Sequence, residues 1–319
     1  MDILIKLAVV MDPIEQIKTY KDSTFAMLLA AQKRGWSLYY LLQDDLFFEN
    51  DIVYARWRKI TVKDDKKQWF EVLEQGVSPF HEIANVVLMR KDPPFDMEYV
   101  YTTYLLELVE KQGVLVVNKP QSLRDANEKL FTAWFPQCCT PVMVSRSMSD
   151  IRTFVEKHQD VIVKPLDMMG GASIFRLQPG DQNLSVILEN MTQFGTRTIM
   201  AQCFIPEISE GDKRILVVDG EPVPYALARI PKSGESRGNL AAGGRGEGVP
   251  LSERDYWICE QVGPTLHEKG LIFVGLDVIG DYLTEVNVTS PTCIRELDKQ
   301  YGLDIGGQLM DAIEARLNA

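Results

Sequence analysis

Over the first 120 positions, short apolar runs alternate with stretches of helical period. Residues 3–10 are an apolar run after an acidic start, with no small-residue cleavage site, so they read as a first β-strand and not a signal peptide. Asp22 or Ser23 can cap a helix that runs to Arg34 and is stopped by Gly35. Residues 38–42, 85–90 and 114–118 are further apolar strands. Between the last two, residues 97–112 carry Tyr101, Leu105 and Leu108 on one helical face, with Gly113 just past the end. Residues 51–75 read as a strand or hairpin followed by a short helix. This alternation predicts a parallel sheet covered on both faces.

The pattern changes after Asn118-Lys119-Pro120, where proline pushes its predecessor out of the helical region. The expected division is an α/β domain over residues 1–124 and a second domain over 125–319. In the second, 125–135 and 149–157 read as helices, and 161–165, 198–204, 214–219, 223–230, 273–279 and 283–288 as strands. Asp219-Gly220 is a hairpin signal. Helices are expected over 254–269 and 306–317, the latter with Leu309, Ile313 and Leu317 in a stripe. Strands joined by turns and flanked by helices predict an α+β fold here.

Composition narrows the function classes. The 319 residues, 45% hydrophobic and 25% charged, suit one large or two to three modest globular domains. No apolar run approaches the roughly 18 residues of a membrane span. Five cysteines, two of them adjacent at Cys138-Cys139 and none at metal-like spacing, predict reduced thiols in the cytoplasm. A net charge of −11 argues against a nucleic-acid partner, and it requires any anionic substrate to be held by clustered cations.

The segment FVGLDVIGDYLTEVNVTSPTCIRE, residues 273–296, offers the most chemistry. It reads as two strands about a tight turn, with Asp277 on the first and Glu285 and Asn287 on the second. Residues two apart on a strand share a face, so Glu285 and Asn287 aim together and offer only oxygen, as Mg²⁺ prefers. The plainer alternative is an edge hairpin with solvated polar residues. A two-residue loop, Gly280-Asp281, would turn Asp277 away from Glu285. A three-residue loop ending at Tyr282 would oppose them, and that odd-length connection is the one predicted.

Other segments could serve an anionic ligand. VIVKPLDMMGGASIFR delivers Lys164 from a strand and follows it with Gly170, Gly171 and Ser173, suited to phosphate or to a plain glycine turn. The lysine precedes the glycines, so this is not a Walker loop. In TIMAQCFIPEISEGD the backbone of Gln202, Cys203, Phe204 and Ile205 can meet an adenine edge, and Glu207, Glu210 or Asp212 a ribose; a solvated acidic turn is the alternative. Arg214 and Arg229 lie on consecutive strands, not squarely opposite, with forks that suit carboxylate or phosphate. Residues 231–250, rich in glycine and carrying Arg237 and Arg245, read as a lid, because they interrupt a domain and do not link two. Cys293 and the three histidines form no nucleophile–base pattern.

In order along the chain, VMDPIEQIKTYKDSTFAMLLAAQ, VLMRKDPPFD, VNKPQSLRDANEKLFTAWF, KPLDMMGGASIF, GDKRILVVDGEPVPYALARIP, RGNLAAGGRGE and the 273–296 segment resemble the prokaryotic-type glutathione synthetases of the ATP-grasp superfamily. The resemblance covers nearly the whole chain. It implies an N-terminal α/β domain, an ATP-grasp domain of two subdomains, and ligation of glycine to γ-glutamylcysteine at the expense of ATP. By matching motif positions it implies ATP contacts from Lys129, Lys164, the loop at about 165–173, residues 202–205 and Asp212. Asp277, Glu285 and Asn287 would hold two Mg²⁺ ions, with Mn²⁺ as the alternative. Arg214, Arg229 and Arg237 would be catalytic, with Arg214, Arg229 and Asn287 at the acyl phosphate or dipeptide, Ser290 and Thr292 at substrate carboxylates, and Asp12, Ser23 and Arg90 at the dipeptide. The family's assembly implies a homotetramer or homodimer. One departure stands out: glycine usually follows the loop aspartate, and here the residue is Met168. At positive φ it would be strained by about 1 kcal/mol.

Overall fold

The computed structural model describes residues 4–230 and 245–318. The first sheet begins with β1 (Lys6–Val10), whose four apolar residues are wholly buried. The chain passes through α1 (Ser23–Lys33) to β2 (Ser37–Leu41), β3 (Leu46–Glu49), β4 (Ile52–Val62) and β5 (Phe70–Pro79). After α2 (Phe80–Ile83) come β6 (Val86–Met89), α3 (Met97–Lys111) and β7 (Leu115–Val117). Strand order is β3-β4-β2-β1-β6-β7, with β5 paired outside this path to β4. The expected parallel sheet is the β2-β1-β6-β7 part. Residues 51–75 belong to a long hairpin that runs on to Pro79, and the helix after it has only four residues. Asp22 is the cap of α1, its Oδ1 accepting the Phe25 N–H at 2.7 Å.

The helix expected over 125–135 is absent. α4 (Pro120–Asp125) starts earlier, with proline at a position where its missing N–H costs nothing. Asn127 then ends helical continuity: its Oδ1 accepts the N–H groups of Lys129 and Leu130, and only a 3₁₀ turn (Leu130–Trp134) follows.

A second, four-stranded sheet contains β8 (Val142–Ser145), α5 (Met148–His158), β9 (Val161–Pro165), β10 (Phe175–Leu177), α6 (Leu184–Thr192) and β11 (Ile199–Cys203), in strand order β10-β9-β11-β8. Its core, including Ile151, Val163, Leu188 and Ile199, is separate from the rest.

The third sheet is antiparallel, in the order β14-β13-β12-β15-β16. It comprises β12 (Asp212–Val218), β13 (Glu221–Ile230), β14 (Arg245–Pro250), β15 (Phe273–Ile279) and β16 (Tyr282–Asn287), with α7 (Glu253–Glu268), α8 (Ile294–Tyr301) and α9 (Ile305–Leu317). The end of the expected lid is therefore not loop: residues 245–250 pair with β13, Ile230 opposite Arg245. Residues 231–244, with Arg237, lie outside the described residues.

The first and third sheets share their cores: Val9, Phe25 and Leu28 cluster with Leu216, Leu309 and Ile313. α9 lies so close on α1 that a Cβ at Gly306 would meet the Ala26 carbonyl oxygen at 3.1 Å. Asn118 joins the same two sheets, donating from Nδ2 to the carbonyls of Phe273 and Val288 at 2.8 Å and accepting the Phe273 N–H at 2.9 Å.

Candidate active site

The three sheets converge on a cleft of about 680 Å³. Asp12 and Arg90 reach it from the first sheet, Lys164 and Gln202 from the second, and Arg214 and Asp277 from the third.

At its floor Asp277 pairs directly with Glu285. The expected opposition is present, but the expected three-residue loop is not. Ile279 pairs with Tyr282 about the two-residue Gly280-Asp281 turn, and a β-bulge after Asp277 supplies the odd residue, Thr284. The Thr284 hydroxyl donates to the Asp277 carbonyl at 3.1 Å.

Strand register places arginines around this pair. Arg214 lies opposite Asp277, and Arg229 opposite Asp212. Arg214 forks onto both Asp277 oxygens, Nη2 at 2.9 Å from Oδ2. Arg229 forks onto Asp212 and also lies 2.8 Å from Asp277 Oδ2. Burial alone would raise the Asp277 carboxyl; the two guanidiniums outweigh it and hold it well below the ordinary carboxylate range. Asp212 goes the other way, raised by burial and by its neighbour Asp277 against the pull of Arg229. Gly275 makes room for this packing: a Cβ there would lie 2.8 Å from Arg214 Cδ and 2.9 Å from Pro291 Cβ.

Two lysines come from the other side. Lys164 is buried, donates to the Thr284 carbonyl at 3.1 Å, and is lowered by burial against the attraction of Glu285. Lys129 donates to the Met168 carbonyl and stands 3.8 Å from Glu285 Oε1. The positive-φ residues of the loop are Gly170, Gly171 and Ser173. Met168 is not among them, so the methionine is unstrained and holds the loop to Lys129 through its backbone.

At the exit of β11, Cys203 N–H donates to Pro141 O at 3.1 Å and Phe204 N–H to Asp160 O at 3.0 Å. Arg176 stacks on the Phe204 ring at 3.7 Å while forking onto Asp160. At the opposite end, Asp12 accepts from Lys91 Nζ at 2.8 Å and from the Asp92 N–H at 2.9 Å. Arg90 donates from Nε to Thr24 Oγ1 at 3.0 Å and from Nη2 to Pro291 O at 2.8 Å. Ser290 Oγ donates to Asp92, and Thr292 Oγ1 lies 3.8 Å from Cys293 Sγ.

Models of the N-terminal domain and of the ATP-grasp domain of prokaryotic glutathione synthetase match residues 5–124 and 128–302. The chain belongs to the prokaryotic glutathione synthetase family. It is 65% identical to the glutathione synthetase of Pseudomonas putida over 99% of both chains. It is 59% identical to that of Escherichia coli K12, over 98% of this chain and 99% of the other. Solved structures share the fold at low identity. D-cycloserine synthetase DcsG has a TM-score of 0.68 at 14% identity, covering 98% of this chain and 99% of that one. The ATP-grasp ligase PsnB with a minimal precursor has a TM-score of 0.65 at 18% identity, covering 98% of each.

In this member of the family the cleft collects nearly all the residues marked from sequence. Four described ones stand outside it: Ser173, Glu207 and Glu210 do not line it, and Ser23 turns inward to accept the Ile294 N–H at 3.1 Å. Asp212 lines the cleft with its carboxylate committed to Arg229. Four lining acids were not marked as site residues from sequence: Asp22, read there only as a helix cap, Asp92, Glu128 and Glu296. Glu128 is half-buried and its carboxyl is raised by desolvation, and its Oε1 accepts from the Val288 and Thr289 N–H groups and the Thr289 hydroxyl. Its neighbourhood is made by chain segments about 160 residues away, which no local pattern encodes.

The oxygen set suits a hard cation. Among the described residues no three His, Cys, Asp or Glu side chains cluster as a metal site. The floor instead presents two carboxylates and an amide, and Asn287 spends its Nδ2 on the Gly275 carbonyl at 3.2 Å, leaving Oδ1 as its free donor atom. Such a partial shell fits a Mg²⁺ ion that takes its remaining ligands from phosphate and water.

Proposed function

We propose that the chain joins glycine to the cysteinyl carboxylate of γ-L-glutamyl-L-cysteine, converting ATP to ADP and phosphate and yielding glutathione. The observation that carries this reading is the convergence of Arg214, Arg229, Lys129 and Lys164 on the Asp277–Glu285 pair within one cleft. Four cations about two acids can receive several phosphate and carboxylate charges in a chain whose net charge is −11.

Lys129 and Lys164 hold the ATP phosphates under the loop of Gly170 and Gly171, while residues 202–205 receive the adenine. The Ile205 N–H is the hinge donor for the ring, since those of Cys203 and Phe204 already serve Pro141 and Asp160. Glu285 and Asn287, with Asp277 shared with the arginines, would hold divalent metal: two Mg²⁺ ions, or Mn²⁺ in their place. When bound, these ions neutralise phosphate charge and align the transferring group.

A carboxylate is a poor electrophile, so the cysteinyl carboxylate first takes the γ-phosphoryl group as an acyl phosphate. Glycine nitrogen then attacks the carbonyl carbon, and phosphate leaves. Arg214 and Arg229 face the oxygen that gains charge in the tetrahedral intermediate, a role that depends on their being fixed beforehand by Asp277 and Asp212. Burial of the floor keeps water from the acyl phosphate. We place the enzyme in the cytoplasm as a homotetramer or homodimer, with a boundary near residues 124–125.

The test is ADP release with γ-glutamylcysteine, omitting glycine and Mg²⁺ in turn. Release should require both. Equal stimulation by D-alanine or glutamate as amine acceptor would overturn the substrate assignment.

A further inference from the structure

The second sheet has a hydrophobic core of its own, separate from the cores that the first and third sheets share. No common apolar core therefore fixes how its glycine loop, residues 166–174, stands over the cleft floor, and polar contacts must do so. Among the described residues, that loop makes two hydrogen bonds to elements outside the second sheet. Asn127 Nδ2 donates to the Leu166 carbonyl at 3.0 Å, and Lys129 Nζ donates to the Met168 carbonyl.

Both donors come from one short segment between α4 and the 3₁₀ turn, and the residue between them reaches the floor. The Glu128 carbonyl accepts the Val286 N–H at 2.8 Å, and Glu128 Oε1 accepts the Val288 and Thr289 N–H groups. Val286 lies between Glu285 and Asn287 on β16. Residues 127–129 thus clip the root of the glycine loop to the strand that carries the floor oxygens. The Asn127 amide works at both ends. While Nδ2 holds Leu166, Oδ1 accepts the N–H groups of Lys129 at 3.2 Å and Leu130 at 2.9 Å. One planar group therefore sets the loop root and the Lys129 backbone relative to each other.

We infer that Asn127 is a positioning residue for phosphoryl transfer: through Leu166 it holds the glycine loop at the spacing from Lys129 and β16 that a nucleoside triphosphate and its metal require. The inference rests on the ligase reading above. It gives Asn127 no ligand contact, since the residue is exposed and is not among those lining the cleft. In the ligase reading the Lys129 ammonium is shared with the phosphates, whereas the Asn127 amide serves protein groups only. The bond to Leu166 is therefore the tether that does not compete with the nucleotide. A displacement of about 1 Å at a group that aligns the reactants is enough to slow the transfer.

Two substitutions separate the tether from the cap. Asn127→Asp and Asn127→Ser each keep an oxygen for the Lys129 and Leu130 N–H groups. Aspartate has no proton to give Leu166, and serine is too short to reach it; aspartate adds a charge and serine does not. The experiment measures the Kd of a non-hydrolysable ATP analogue with Mg²⁺, hydrogen exchange in residues 166–174, and steady-state kinetics, on wild type and both variants. Both variants should melt within about 3 °C of wild type. Both should bind the analogue roughly tenfold more weakly, lose the protection that it confers on residues 166–174 in wild type, and fall in kcat, while KM for γ-glutamylcysteine stays within about twofold. Weakened binding in Asn127→Asp alone would trace the effect to charge and overturn the tether. An equal rise in KM for every substrate, or wild-type affinity and loop protection in both variants, overturns it as well. So does a Tm loss beyond about 10 °C in both, which would make the amide a folding residue. Failure of the analogue to bind wild type overturns the ligase reading, and this inference with it.

Discussion

Arg214 on β12 and Asp277 on β15 are direct cross-strand partners, and the guanidinium holds both oxygens of the carboxylate. With Arg229 on the same carboxylate, the acid at the cleft floor is compensated by the protein itself. Glu285, opposite Asp277, has Lys129 at 3.8 Å. Opposed carboxylates would otherwise repel, and here fixed cations make the arrangement stable before any ligand arrives.

This pairing changes what Arg229→Ala should do. A site arginine with no structural partners would, on truncation, lower turnover far more than stability. The side chain is in fact 5% exposed and bonded to the buried Asp277 and the half-buried Asp212. Its removal strands Asp212 and leaves Asp277 to Arg214 alone, at roughly 3–5 kcal/mol, so Tm should fall by on the order of 10 °C along with activity. Arg229→Lys keeps the charge without the fork; it should retain most of the Tm and still lose roughly 100-fold in kcat. Thermal melts and ADP release on both variants check this.

Gly275→Ala adds one methyl group against the Arg214 side chain and Pro291. The strand is sandwiched between neighbours, so Arg214 must shift off Asp277. The expected outcome is a loss of roughly 1–3 kcal/mol in stability and a kcat decrease larger than the KM increase for ATP. A variant with wild-type kcat would show that Arg214 tolerates displacement.

Chelation should separate activity from folding. The floor acids are balanced by arginine and lysine, so the free protein does not depend on a cation for its stability. Excess EDTA should abolish ADP release while moving Tm by no more than about 2 °C, and added Mg²⁺ should restore turnover.

Asp298 gives the fold a pH dependence. Burial, reinforced by the charge of Asp304, pushes its carboxyl up to about 6. A raised carboxyl favours the fold while protonated, and that advantage is lost as pH rises from about 4, where the unfolded chain titrates, through 6. Asp298→Asn can keep the acceptor for the Ile305 N–H and cannot ionise. Its Tm should match wild type near pH 4 and exceed it at pH 7; a constant difference across that range would refute the assignment.

Much of the architecture was legible because it is encoded locally. Gly35 and Gly113 stop α1 and α3 where the pattern said, and the strands of 161–165 and 273–279 are rich in apolar and β-branched residues. What escaped includes the helices α6 and α8, and otherwise was short or held by backbone alone. β10 has three residues, and β14 (Arg245–Pro250) has no apolar alternation and exists because β13 offers it a ladder. The broken helix at Asn127 turned on one side chain competing for backbone N–H groups.

The residue types at the cleft floor were settled by sequence: oxygen donors at Asp277, Glu285 and Asn287, cations at Lys129, Lys164, Arg214 and Arg229, and a family identity written in ordered motifs. Which charges meet was settled only on folding. A one-residue bulge at Thr284, and not the turn length, put Asp277 opposite Glu285, and cross-strand register put Arg214 on Asp277 and Arg229 on Asp212. Arg90 and Glu296, each with an unpartnered buried atom, line one cleft although they lie 206 positions apart. Periodicity reports how each segment faces its own core, whereas the meeting of distant side chains depends on how the sheets stack, which no single segment contains.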